Sequence, residues 1–287
     1  MEPEHLYPMA GFAAARTGLS VCVCFAIWTQ VGFSAELNPE TVKAWEKYIG
    51  WIDARVTREL ASPDSFLIQD RLTVKQQITL SDQLTAGKAY VDEVRGTAPP
   101  DAKFKVPEGL IHHWWGSILV PRMTLKDLFK FLQDYDHLAG RFADVEASKL
   151  LSRQGDYFKF YLRLRRTKAF VTAYYNTIQE CTYFIHDQRR ASSRSIAIRI
   201  AEIDNPGTPE EREKIPGNDR GFLWGLASWW RFRETGAGVI IELESASLSR
   251  NIPVLINFIP GVAGYIRATP RESLASVLTS LRSSAGR

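Results

Sequence analysis

The sequence predicts an α+β fold, a curved antiparallel sheet of about seven strands around a long C-terminal helix, with an N-terminal helical extension. Three observations carry this reading. From about Val106 to Arg287 the chain runs strand, short helical stretch, long series of strands, terminal helix. Turn residues punctuate the series at Gly155-Asp156, Thr167-Lys168 and His186 to Arg189, so consecutive strands pair antiparallel through short connections. The 287 residues are 45% hydrophobic, enough apolar side chain for a real core. A sheet curled on a helix is a container, which points to an enclosed apolar ligand.

Leu19 to Trp28 (LSVCVCFAIW) is a short apolar run, preceded by Arg16 and followed by Phe33-Ser34-Ala35. Residues 1–35 are expected to be a secretory signal peptide, because a bilayer span takes about 20 apolar residues and this run is shorter. The expectation places the protein in the periplasm or outside the cell. Cys22 and Cys24 lie in the run, so Cys181 is the single cysteine left after cleavage and no internal disulfide can form.

Residues 36–105 read as an N-terminal helical and extended region. Asn38 can cap a helix that Pro39 starts and Leu60 ends, with Val42, Trp45, Ile49, Ile52, Val56 and Leu60 on one face. Thr73 to Leu80 (TVKQQITL) partly alternates and is expected to be a strand paired with Ala89 to Val94. Thr97 to Asp101 (TAPPD) is a linker.

Residues 106–287 form the expected main domain. Gly109 to Val120 (GLIHHWWGSILV) is a strand ended by Pro121. Thr124 caps a helix to Gln133 with Leu125, Leu128, Phe129 and Leu132 inward, and a second helical piece runs from Tyr135 to Phe142. Strands follow near 144–154, 157–167, 169–186, 190–203, 222–234 and 238–249, the polar loop 204–221 interrupting them. In the last strand Val239, Ile241 and Leu243 alternate with Glu242 and Glu244. Pro270 to Arg282 is the closing helix, with Leu274, Val277, Leu278 and Leu281 as its inner stripe.

This order, carried by GLIHHWWGSILV, TLKDLFKFLQDYDHLAGRF, GFLWGLASWWRF, GVIIELESASLSR and PRESLASVLTSLR, resembles the START-like (helix-grip, SRPBCC) superfamily of lipid carriers, polyketide cyclases and plant hydrophobic-ligand binders. The resemblance covers about 180 residues and extends to a subgroup of exported bacterial proteins. It implies a cavity between sheet and C-terminal helix that takes a lipid-like or polycyclic ligand, and it implies no cofactor.

The candidate ligand-binding residues follow from strand alternation. In His112-His113-Trp114-Trp115, neighbours face opposite sides, so the two histidines cannot chelate one metal; His113 and Trp115 are the pair assigned to the cavity. Trp224 and Trp230 stand beside small residues on an aromatic strand. Tyr174 lies on the strand 169–186. Arg199 shares a face with Ala197 and Ala201 and is the expected anchor for an acidic head group, with Arg194 and Arg250 next in line. Glu242 is the acidic candidate. An enzyme of the cyclase or hydrolase sort would draw on His113 or His112 with Glu242 or Arg199.

Other classes find no support. The net charge of +4 lacks the basic concentration of a nucleic-acid binder. Lys159, Arg163 and Arg165 could touch an anionic membrane surface transiently. No Walker loop, Rossmann glycine pattern, G-x-S-x-G or H-E-x-x-H occurs. Asp134, Asp136 and His137 read as a surface turn.

Overall fold

A computed structural model describes residues 37–94, 104–168, 171–215, 218–251 and 262–285. The apolar run 19–28, its cleavage point and the linker 97–101 lie outside the described residues, as does most of the apolar stretch 251–266.

Helix α1 spans Pro39–Leu60, with the Asn38 side chain accepting from the Glu40 N–H and Pro39 in the first turn. Helix α2 spans Val74–Thr85, where a strand was expected. The reason is a reciprocal cap: the Thr73 hydroxyl accepts from the Gln76 N–H while the Gln76 side chain accepts from the Thr73 N–H. Leu80 and Leu84, one turn apart, are then the buried stripe.

Nine strands follow among the described residues: β1 Tyr90–Glu93, β2 Gly109–Pro121, β3 Val145–Gln154, β4 Tyr157–Lys168, β5 Val171–Ile185, β6 Arg190–Asp204, β7 Arg212–Glu213, β8 Gly225–Thr235 and β9 Gly238–Arg250. Between β2 and β3 lie α3 (Leu125–Leu132) and a single 3₁₀ turn, Tyr135–His137, shorter than the helix expected there. The sheet order is β1-β2-β9-β8-β6-β5-β4-β3, all antiparallel, with β7 added to the end of β6. The last helix, α4, runs Val262–Ala285 through Pro270, which was expected to start it. Strands folded against one C-terminal helix in this order make the helix-grip architecture.

Because paired residues share a face, the register sorts every strand into two sets. The inner set includes Ile118, Val120, Val239, Ile241, Leu243, Phe232, Tyr183, Phe158 and Phe160, in one cluster with Leu125, Leu128 and Leu132 of α3 and Leu274, Leu278 and Leu281 of α4. Close contact with α4 requires Gly116, where a Cβ would fall 2.6 Å from Leu274. The outer set includes Ala227, Trp229, Ala246 and Leu248, which pack on Trp45, Tyr48, Ile49, Ile52 and Val56 of α1. Here Gly225 admits Trp45. The N-terminal region 39–85 thus covers the outer face of β2, β9 and β8.

Candidate functional site

On the inner face the sheet changes character along its strands. Toward the β8–β9 turn, Ile118, Ile241 and Phe232 are fully buried beneath α3 and α4. Farther along, one lateral row reads Trp114, Ser245, Ser228, Ser195, Cys181, Phe158 across six strands. Trp114, Leu226, Ser228, Trp230, Ser245 and Ser247 are half-exposed although they lie on the inner face. Small hydroxyl side chains framed by two indoles leave accessible space there. Trp230 stacks on Phe232 at 6.2 Å.

The inner face of β5 carries a polar tip at alternate positions: Tyr175, Thr177, Gln179, Cys181, Tyr183. The facing positions of β4 are Phe158, Phe160, Leu162 and Leu164. Most of these tips are occupied. Ser195 donates to the Gln179 carbonyl at 3.3 Å, Gln179 donates to Thr177, and Thr177 to the Leu162 carbonyl at 3.2 Å. Tyr135 and Tyr183 place their hydroxyls 3.0 Å apart. Burial pushes the Cys181 thiol up to about 11 and raises both phenols well above their ordinary range. None of these groups ionises near neutral pH, so the stripe offers hydrogen bonds without charge. His112 closes the inner face at the β2 end, its Nε2 3.0 Å from the Ser249 hydroxyl.

The outer face is quite different. Glu244 is fully buried, accepts from His113 Nε2 at 2.7 Å and is bound by Arg55 of α1. Tyr48 places its hydroxyl 2.8 Å from His113 Nδ1. Arg231, 1% exposed, donates to Glu59 of α1 at 2.6 Å. Arg194 and Trp229 both donate to Asp53 of α1. Glu242, also fully buried, accepts from the backbone N–H groups of Ile68 at 2.5 Å and Gln69 at 2.9 Å. Burial raises Glu242 to about 7. Glu244 suffers the same desolvation, but the His113 hydrogen bond and the charges of Arg55, His113 and Arg231 outweigh it and hold the carboxyl down to about 2.

These facts correct most of the residue assignments made from sequence. His113, Trp115 and Glu242 are on the outer face beneath the N-terminal region; Trp115 packs with Leu80 and Leu84 of α2. Tyr174 is on the outer side of β5, under the Arg163 guanidinium at 5.5 Å. Arg199 was expected inward, but a β-bulge at Ile178/Gln179 resets the alternation of β6. Arg199 pairs with Ile178 on the outer face, is exposed, and forks onto Glu213 of β7. Its substitutes fail likewise: Arg194 is held by Asp53, and Arg250 lies over Trp224 at 5.6 Å. Trp224 packs on the outer cluster and donates to Asp219 at 2.9 Å. Of the eight residues assigned to one cavity, Trp230 alone is on the inner face. Sequence reasoning missed Gln179, Thr177 and Ser195; the signal available was alternation of polar tips along β5. Among the described residues no group of three or more His, Cys, Asp or Glu side chains could hold a metal ion.

Several solved structures are similar to the chain. A STAR-related lipid transfer protein fragment from Xanthomonas axonopodis is 19% identical, with a TM-score of 0.46, over 69% of this chain and 93% of that one. The Zhui aromatase/cyclase from Streptomyces sp. R1128 is 13% identical, TM-score 0.39, over 61% and 94%. The lipid transfer and protein localization domain of human StarD13 is 10% identical, TM-score 0.39, over 74% and 97%. No family model and no curated protein matches the chain.

Proposed function

We propose that the protein binds an apolar, lipid-like or polycyclic ligand against the inner face of its sheet, in the region of Trp114, Ser228, Trp230 and Ser245. One observation carries this reading: these side chains remain half-exposed on the inner face, whereas Ile118, Ile241 and Phe232 farther along the same strands are fully buried. Indoles supply flat apolar contact, and the serines supply room and neutral hydrogen bonds. Ser228 and Ser245, half-exposed and uncharged, suit a ligand with a hydroxyl or carbonyl group.

Native mass spectrometry of the purified protein, followed by organic extraction, tests the proposal. A mass in excess of the chain, lost on denaturation and recovered in the extract, is expected. Trp230→Leu should then remove most of the change in indole fluorescence that an added fatty acid or polycyclic probe causes. A chain mass alone, with fluorescence indifferent to every such probe, would refute it.

An enzyme on the same fold is a second reading, favoured by the inner-face pair of His112 and Ser249. Ligand turnover abolished by Ser249→Ala would establish it. Export is proposed from the apolar run 19–28, and N-terminal sequencing of envelope-fraction protein beginning near Glu36 is the expected result.

A further inference from the structure

The outer face carries a cluster whose hydrogen bonding and charge are both incomplete. Glu59 of α1 is shared by three arginines: Arg55 at 3.1 Å, Arg71 at 3.1 Å and Arg231 at 2.6 Å. Glu244 is shared by Arg55 and Arg231. Three guanidiniums therefore face two carboxylates. The neighbouring ions do not correct the imbalance. Arg233 is matched by Asp70, and Arg194 by Asp53. His113 adds a further donor to Glu244. Glu242 stands opposite Arg231 in the register, but both of its oxygens are taken by backbone N–H groups and its charge is disfavoured by burial.

The donors tell the same story. Arg231 is 1% exposed, yet its Nε and Nη1 have no protein acceptor; nor does Nε of Arg55. Ser117, fully buried in the same cross-strand row as Glu242 and Arg231, has a hydroxyl without a partner. Against these donors, among the described residues, stands the unpartnered acceptor Gln69 Oε1. Buried guanidinium N–H groups left unmatched lose their hydration without replacement. An excess of donors together with an excess of positive charge calls for a small negative acceptor. The unmatched donors are three guanidinium nitrogens and one hydroxyl, a set of N–H and O–H groups that a single-atom anion accepts without needing oxyanion geometry. Arg71, with its side chain 32% exposed, stands at the solvent edge of the cluster.

We infer that a monovalent anion of chloride size binds between α1 and the outer sheet face, held by Arg231 and Arg55 and favoured by the charge of Arg71. Such an ion would fasten the N-terminal helix to β8 and β9. The inference is independent of the ligand proposed for the inner face.

Thermal unfolding of the purified protein in sodium chloride, bromide and gluconate at equal ionic strength tests it. Screening acts alike in all three salts. A specific site should raise the melting temperature in chloride and bromide over gluconate by about 3–5 °C, saturating with halide concentration. Arg71→Gln, at the rim, should fold and should weaken the apparent halide affinity by at least about tenfold. A bromide-soaked crystal should show an anomalous peak beside Arg231. Equal melting in halide and gluconate would overturn the inference, as would an undiminished halide response in Arg71→Gln. Density beside Arg231 that carries no bromide signal would assign the position to water and overturn it too.

Discussion

The two faces of one sheet are stabilised by opposite means. On the inner face, α4 is held by Leu274, Leu278 and Leu281 against aliphatic and aromatic side chains. On the outer face, α1 adds to its apolar stripe ion pairs from Arg55 and Glu59 to the buried Glu244 and Arg231, and a half-exposed pair through Asp53. The difference teaches that an alternating strand does not announce which side is the interior. In β9 the alternation Ile241-Glu242-Leu243-Glu244 looks like one buried and one solvated face, yet Glu242 and Glu244 are as inaccessible as Ile241. Charge marks the side that a second, ion-pairing element covers.

The sharpest way to break this comparison is Glu244→Ala. It would leave Arg55, Arg231 and His113 without their shared carboxylate, and a loss of about 3–5 kcal/mol is expected from removing one partner of a buried pair. Denaturant titration measures it, and a loss under about 1 kcal/mol would mean that the outer face is held by its apolar contacts alone. On the inner face, Leu278→Ala should cost about 2–5 kcal/mol. Thr279→Ala, exposed on the same helix, should stay within about 0.5 kcal/mol. Equal melting temperatures for these two variants would contradict the packing of α4.

The two outer-face glutamates should respond to pH in opposite senses. Glu242 is raised from 4.5 to about 7, so its favourable contribution is complete below about 4.5 and is lost as pH rises through about 7. Glu244 is lowered from 4.5 to about 2, so its contribution is present above 4.5 and is lost as pH falls through about 2. Glu242→Gln stays neutral throughout. Its stability relative to the parent should therefore improve between pH 5 and pH 8, by an amount on the order of 1–3 kcal/mol. A constant difference across that window would show that Glu242 is not perturbed. The smallest effect belongs to Arg199→Met. An exposed ion pair contributes at most about 1 kcal/mol, and the variant should bind acidic and neutral probes as the parent does.

Much of the architecture was legible because it rests on local period. The stripe of α1, the Thr124 cap of α3, the turn at Gly155-Asp156 and the alternation of β9 each appear in a window of a few residues. Thr73 to Leu80 forms a helix despite its partial alternation, because the Thr73–Gln76 cap and the Leu80–Leu84 spacing both favour the helical period. The site was barely legible. Arg199 changed face through one extra residue at the Ile178/Gln179 bulge, and no residue type signals such a bulge here. His113 and Glu242 were assigned to the cavity because nothing in the strand sequences shows that α1 and Ile68–Gln69 lie over them.

The separation between α1 and its partners has a consequence in time. Arg231 follows Glu59 by 172 positions, and Glu244 follows Arg55 by 189. A ribosome takes roughly 10–40 s to cover that distance. For that interval Trp45, Ile49 and Ile52 have emerged and the surface they will cover has not been made. The first of the described helices to be synthesised is thus among the last to be seated. Any chain that stalls before β9 presents a bare amphipathic segment to whatever meets it first.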